Sequence, residues 1–165
     1  MTIFKSATLF TFLVLMLSCN SKVGNFTVST PANWIVVDTV SARFGKFVKM
    51  HPPATSKIPQ FIENINISII DFPSIDIYIN TVLTDIKKGA VHFEDKGKGS
   101  VKINQYTMKW EQHIIQDKNS DPIEQKAFFI EDSGNIYQII YSTKAKEQDK
   151  YQKELDTVLQ SFKII

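Results

Sequence analysis

The sequence contains one cysteine, Cys19, among its 165 residues. A single thiol excludes an intrachain disulfide, so the fold must depend on a packed core rather than on crosslinks. The motifs C-x-x-C, H-E-x-x-H, G-x-S-x-G and G-x-x-x-x-G-K-S/T are all missing. Their absence removes the common sequence signatures of redox, metalloprotease, hydrolase and nucleotide-binding sites. We therefore expect a protein that is not an enzyme and that carries no cofactor.

Arginine is nearly absent as well, because Arg43 is the only one and the other basic residues are lysines. Clamps that hold phosphate or carboxylate with two hydrogen bonds prefer arginine. The formal net charge is only +2, which gives no electrostatic footprint for nucleic acid. Hydrophobic residues make up 43% of the chain and charged residues 22%, a balance typical of a folded domain with a core.

The N-terminal stretch predicts the cellular location of the domain. Lys5 precedes an apolar run from Ala7 to Leu17 that is interrupted only by threonines. This run is too short for a membrane span of about 20 residues and is typical of a signal peptide. Ser18-Cys19 then resembles the bacterial lipobox, with Met16 at the position usually held by leucine. We expect cleavage before Cys19 and lipidation of its thiol and amino terminus; an ordinary secretory signal and an uncleaved anchor are the alternatives.

These features divide the chain into a signal peptide (residues 1–18), a polar tether (19–24) and one domain (25–165). In the domain, apolar residues alternate with polar ones in Asn25–Thr30 and again at Ile65, Ile67 and Ile69, which predicts strands. Further β-rich runs are 34–40, 43–50, 91–95, 100–103, 106–116, 124–131 and 136–142.

Two amphipathic helices are predicted. The first begins after an N-cap at Ser74 and runs to Gly89, and the second carries a stripe from Tyr151 to Phe162. Strands in a meander with two such helices indicate an α+β domain, in which each helix covers one face of an antiparallel sheet.

Several possible sites have simpler structural interpretations. Lys96 to Gly99 (KGKG) has the glycines of a phosphate loop, but it is predicted to be a hairpin tip because no helix follows it. The adjacent carboxylates Glu94-Asp95 and Glu131-Asp132 lie beside predicted turns and are expected in solvent. The histidines His51, His92 and His113 lack the paired spacing of metal ligands. A meeting of His92 and His113 across two strands stays open.

The loop from His51 to Gln60 contains Pro52, Pro53 and Pro59. It is longer than the usual connection of about 4–6 residues, and its prolines lower the entropy lost on binding. We predict a partner-binding loop in which His51 and Lys57 supply polar contacts and Ile58 an apolar anchor. A surface loop without a role is the alternative.

The order of elements resembles the PsbP-like family. The resemblance rests on Pro31-Ala32-Asn33-Trp34, on the strand Tyr137 to Tyr141, and on a closing helix that ends Leu159-Gln-Ser-Phe162. It implies an α/β/α sandwich around a central antiparallel sheet (PsbP/Mog-like), and it carries over no site residues. Members include photosystem II accessory proteins, Ran-binding Mog-type proteins and bacterial envelope lipoproteins, and most of them bind proteins.

The functional expectation is a monomeric, non-enzymatic lipoprotein of the bacterial cell envelope. Its domain would lie in the periplasm, tethered to the inner or outer membrane through Cys19, and it would act as an accessory or assembly factor on an unidentified protein partner. The alternative is a lipoprotein that binds a small ligand or a metal, including an extrinsic photosystem II role if the source is phototrophic. An envelope hydrolase is the third possibility.

Overall fold

The computed structural model describes residues 25–41, 45–53 and 63–165. In chain order its elements are β1 (Phe26–Thr27), β2 (Ile35–Ser41), β3 (Gly45–His51), β4 (Asn64–Ile70), α1 (Ile75–Gly89), β5 (His92–Ile103), β6 (Tyr106–Gln116), β7 (Ile123–Asp132), β8 (Asn135–Lys144), α2 (Gln152–Ser161) and β9 (Lys163–Ile164). Seven of the strands form one sheet in the order β2-β3-β4-β8-β7-β6-β5, with every neighbouring pair antiparallel.

Each helix covers one face of this sheet, as the two amphipathic patterns predict. On one face Leu155 and Val158 of α2 pack with Ile67 and Ile139, and all four side chains are fully buried. On the other face Ile75 of α1 packs against Phe129. The two core clusters separate along β7 and β8 because successive strand side chains point to opposite faces. The architecture is therefore the predicted α+β sandwich.

The ends of α1 also follow the sequence signals. Ser74 is the N-cap, and its hydroxyl oxygen accepts a hydrogen bond from the backbone N–H of Ile77 at 3.3 Å. Lys87 and Lys88 lie in the last turn, where positive charge suits the helix dipole. The helix ends at Gly89, with the backbone N–H of Ala90 bonded to the carbonyl of Ile86.

The prediction of a hairpin tip at Lys96 to Gly99 is wrong. The two short strands predicted on either side of it are one strand, β5, which pairs with β6 along its length and has a bulge between Asp95 and Gly97. Gly97 has φ +124°, a backbone conformation that other residues rarely adopt, and its N–H donates to Asp95 Oδ1 at 2.9 Å. The glycines thus accommodate a bulge within a strand instead of a chain reversal.

The first predicted strand, Asn25–Thr30, is shorter than expected. Only β1 is extended and paired, and its partner is β9, a two-residue strand after α2 that the sequence did not predict. Phe26 is fully buried and stacks on Phe162, with ring centroids 5.5 Å apart. This aromatic pair holds the two ends of the domain together.

Candidate functional site

A groove lies between α1 and strands β5 and β6, with a volume of about 320 Å³. We call it the α1 groove. Its wall on the helix side carries Ile79, Leu83 and Lys87, and its sheet side carries Phe93, Asp95, Lys98, Glu111 and His113. Glu111 and His113 share a face because they are two residues apart on β6.

Glu111 is a buried acid that the protein leaves partly unsatisfied. Only 5% of its surface is exposed, and its Oε2 has no hydrogen-bond partner among the described residues. Burial, and to a lesser extent the negative charge of Asp95, raise the pKa of the Glu111 carboxyl from 4.5 to about 7, against the opposing effect of Lys98 and Lys87. Near neutral pH this carboxyl is therefore divided between its charged and neutral forms.

His113 is held neutral beside it. The ring is 4% exposed and stacks on Phe93 with centroids 5.4 Å apart. Its Nε2 lies 3.3 Å from the amide oxygen of Gln125. Burial lowers the pKa of His113, an effect that outweighs the opposing effects of Gln125 and Asp95.

The strand register explains how these groups meet. His113 faces Asp95 on β5 and Gln125 on β7, and Gln125 in turn faces Ser142 on β8. The Gln125 amide donates to the Ser142 hydroxyl at 3.1 Å. A row of polar side chains therefore crosses the sheet beneath α1 and ends at the groove.

This arrangement favours binding over nucleophilic chemistry. Among the described residues, the hydrogen-bond partner of His113 Nε2 is the side-chain amide of Gln125. An amide is not a nucleophile that a histidine base could activate. Among the residues that the structure describes, Glu111 alone combines burial, a carboxyl oxygen without a hydrogen-bond partner and a raised pKa. A carboxyl group with these properties is a candidate for binding a ligand, because a ligand can donate the hydrogen bond that its free oxygen lacks.

A second buried glutamate provides a contrast. Glu124 lies on the opposite face, in a pocket of about 140 Å³ near the start of α2. It is 4% exposed and accepts a hydrogen bond from Gln112 Nε2 at 2.5 Å. Because its carboxylate already has a donor, this pocket lacks the unsatisfied atom that distinguishes the α1 groove.

The histidines do not form the metal site that the sequence left open. His92 faces Gln116, while His113 faces Asp95, so the two histidines point to opposite faces of the sheet. The described part of the chain holds no group of three or more His, Cys, Asp or Glu side chains able to bind a metal ion.

Glu94 and Asp95 are both exposed, as expected. Asp95 has a further role that the sequence did not indicate, because it lines the groove and its charge acts on Glu111. The sequence missed this because Asp95 and Glu111 belong to different strands. The pairing of β5 with β6 places them on one face, because Asp95 faces His113 and His113 lies two residues from Glu111.

Of the other predicted site residues, the structure describes only His51. Cys19, Lys57 and Ile58 lie outside the described residues. His51 closes β3, half-buried, with its Nδ1 2.9 Å from the carbonyl oxygen of Pro52. In the described ranges no helix is long and apolar enough to cross a membrane.

No protein-family model and no curated protein sequence matches the chain. Its fold is nevertheless similar to solved structures. LpqN of Mycobacterium tuberculosis, involved in cell envelope biogenesis, has a TM-score of 0.61 at 11% identity, over 86% of this chain and 83% of LpqN. PA94 of Pseudomonas aeruginosa, of unknown function, has a TM-score of 0.57 at 12% identity, over 78% of this chain and 94% of PA94.

Cyanobacterial PsbP from Synechocystis sp. PCC 6803 has a TM-score of 0.56 at 17% identity, over 91% of this chain and 99% of that protein. The correspondence spans nearly the whole of both chains and includes the antiparallel sheet with its helices. The protein therefore has a PsbP-like fold.

Proposed function

We propose that this protein is a non-enzymatic lipoprotein of the bacterial cell envelope that acts, as a monomer, through contacts with a protein partner. The apolar run followed by Ser18-Cys19 supports an anchor at Cys19 in the inner or outer membrane, with the domain in the periplasm. The similarity to LpqN, which is involved in cell envelope biogenesis, supports the same location.

The observation that carries partner binding is the open edge of the sheet at β2. Ile35, Val36 and Val37 are 46%, 41% and 44% exposed, and within the described residues β2 pairs on one side only, with β3. An unpaired apolar edge strand is a template for an added strand. The partner that fits is an extended, apolar segment of another protein, lying along β2 as an eighth strand.

The opposite edge shows how such pairing is prevented. The β5 strand carries exposed Lys96, Lys98 and Lys102 and contains the bulge at Asp95/Gly97. Lysines and bulges are the usual protection of an edge strand against unwanted pairing. The described residues of β2 have neither, which favours β2 as the edge kept open for a partner.

The predicted loop that begins at His51 adjoins this edge. His51 is the register partner of Ile35, so the chain leaves the sheet beside the exposed apolar residues. We propose that His51, Lys57 and Ile58 extend the surface offered by β2.

The anchor is tested by replacing Cys19 with alanine in the expressing cell. We expect the variant to lose its acyl mass and to leave the membrane fraction after alkaline or high-salt washing. Unchanged membrane partitioning, together with no acyl mass on the wild type, would overturn lipidation.

Partner binding is tested by crosslinking in living cells, followed by mass spectrometry. The double variant Ile35→Lys/Val37→Lys places charge on the open edge, while Val101→Lys places it on the protected edge, where Val101 is 36% exposed. A third variant replaces residues 53–57 with a Gly/Ser linker. We expect the first variant, and to a lesser degree the third, to lose a crosslinked partner that Val101→Lys keeps. If every partner persists at wild-type yield in all three folded variants, the proposed surface is wrong.

The alternative function, binding of a small ligand, is favoured by one observation. Glu111 presents an unpartnered, buried carboxyl oxygen in a groove of ligand-binding size.

A further inference from the structure

We propose that the α1 groove binds a small zwitterion of the amino-acid or short-peptide class, with its ammonium group at Glu111 and Asp95 and its carboxylate at Lys87 and Lys98. The inference rests on the groove alone and not on the proposed partner binding. The groove lies at the β5–β6 end of the sheet, whereas the open edge is β2 at the other end.

The ammonium end follows from the carboxylates. Glu111 is buried with an unpartnered Oε2, and Asp95 on the adjacent strand lines the same groove. Two carboxylates that share a site repel each other, and a buried charge without a partner is costly. An ammonium group carries a compensating charge and three hydrogen-bond donors. It therefore supplies the donor that Glu111 Oε2 lacks and a positive charge between the two carboxylates.

His113 supports a cation at this position. Burial lowers the pKa of His113 despite the opposing hydrogen bond with Gln125, so near neutral pH the ring adds no positive charge that would repel an ammonium group. His113 therefore leaves the position beside Glu111 and Asp95 free of a competing imidazolium charge.

The carboxylate end follows from two lysines that form no salt bridge with another described residue. Lys88, Lys96 and Lys109 each form a salt bridge with a nearby acid, at 3.6, 3.2 and 2.8 Å. Among the described ion pairs, none involves Lys87 or Lys98. Lys87 Nζ lies 4.7 Å from the centre of the Phe93 ring, and Lys98 faces Glu111 across the β5–β6 pair. Both lysines line the groove and are available to an anion.

The remaining wall sets the size and polarity of the ligand. Ile79, Leu83 and Phe93 are half-buried apolar side chains that line the groove between the charged groups. The volume of about 320 Å³ is at the small end of ligand pockets. A free amino acid or a dipeptide with one apolar side chain meets both conditions.

Calorimetric titration at pH 7 with L-alanyl-L-leucine tests the proposal. The controls are N-acetyl-L-alanyl-L-leucine, which lacks the ammonium group, and L-alanyl-L-leucinamide, which lacks the carboxylate. We expect the free dipeptide to bind at least about tenfold more tightly than either blocked form, since each blocked form loses charge-assisted hydrogen bonds. No binding of the free dipeptide at millimolar concentration, or equal binding of all three, overturns the proposal.

Proton release gives an independent readout of the ammonium site. The Glu111 carboxyl is about half protonated at pH 7, and a bound cation lowers its pKa. Titration in two buffers of different ionisation enthalpy should therefore show release of roughly half a proton for each ligand bound. Absence of proton release would exclude the proposed contact with Glu111.

Variants locate the site. Glu111→Gln keeps the shape of the side chain and should weaken dipeptide binding by about tenfold while abolishing proton release. Glu94→Gln is the matched control, because Glu94 is an exposed carboxylate one residue from Asp95 that points to the opposite face. Lys87→Met and Lys98→Met test the other end if Glu111→Gln does not fold. Wild-type affinity in the folded Glu111 variant, or in both lysine variants, would place the dipeptide elsewhere.

Discussion

The indole of Trp110 lies directly over Gly99. A Cβ atom at residue 99 would be 3.1 Å from the Trp110 Nε1 and 3.2 Å from its Cε2. The two residues are register partners on β6 and β5, and the same ring reaches within 3.7 Å of a Cβ placed on Gly97. An aromatic side chain that covers glycines on a neighbouring strand stabilises an edge that the glycines alone would weaken.

Gly99→Ala should therefore destabilise the domain. The added methyl group requires Trp110 to shift by a few tenths of an ångström, and such overpacking costs about 1–3 kcal/mol. Urea denaturation measures the change in the free energy of unfolding. Gly89→Ala is the control, because a Cβ there meets nothing within 4 Å and alanine is a better helix former. Equal stability of the two variants would mean that the indole does not rest on Gly99.

Ile67→Ala should be among the costlier single changes. Ile67 lies in the middle of β4, between β3 and β8, and is fully buried. Removing a large buried aliphatic side chain costs about 2–5 kcal/mol, because transfer energy is lost and a cavity remains. Ile77→Ala on the exposed side of α1 removes the same atoms from a site that is 53% exposed. Its effect should stay within about 0.5 kcal/mol, and a similar loss in both variants would contradict the assigned register.

Ser74→Ala should weaken the start of α1. The serine oxygen satisfies the N–H of Ile77, which has no partner inside the helix. Loss of an N-cap side chain costs about 0.5–2 kcal/mol. Thr81→Ala is a suitable control, since its hydroxyl only bonds back to the Ile77 carbonyl within the helix. Thermal denaturation of both variants gives the comparison, and an unchanged Tm for Ser74→Ala would show that the cap adds no stability.

Glu111 should make the domain less stable as the pH rises. Its pKa is 4.5 ordinarily and about 7 in the folded protein, so the unfolded chain gives up this proton first. The contribution of the Glu111 proton to the free energy of unfolding is therefore fully present below pH 4.5 and is lost as the pH rises to about 7. The lost stability approaches ~3 kcal/mol, the free energy that corresponds to the pKa difference.

The comparison that isolates this effect is wild type against Glu111→Gln, by urea denaturation between pH 4 and pH 8. His113, whose pKa is lowered by burial, acts in the opposite direction below its ordinary value of 6.5, but it is present in both proteins. The glutamine variant should gain stability relative to the wild type as the pH rises. Parallel curves would show that the Glu111 pKa is not raised.

The sequence by itself determined the elements whose signals are local. The alternation at Ile65, Ile67 and Ile69 gave β4, and the Ser74 cap with a following apolar stripe gave α1. Such patterns are readable because burial on one face repeats with the period of a strand or a helix. Together with the resemblance carried by Pro31 to Trp34, they were enough for the α/β/α arrangement that the structure has.

The tertiary structure alone decided what depends on pairing between distant segments. Strands β1 and β9 have two residues each, too few to show a period, and exist because Phe26 and Phe162 stack. Gly97 and Gly99 have the composition of a turn, yet they lie within the continuous strand β5, where Trp110 of the neighbouring strand covers them. The α1 groove has the same origin, since Glu111 gains its unsatisfied oxygen and raised pKa only where α1 and Asp95 are brought over it, and no local pattern encodes that meeting.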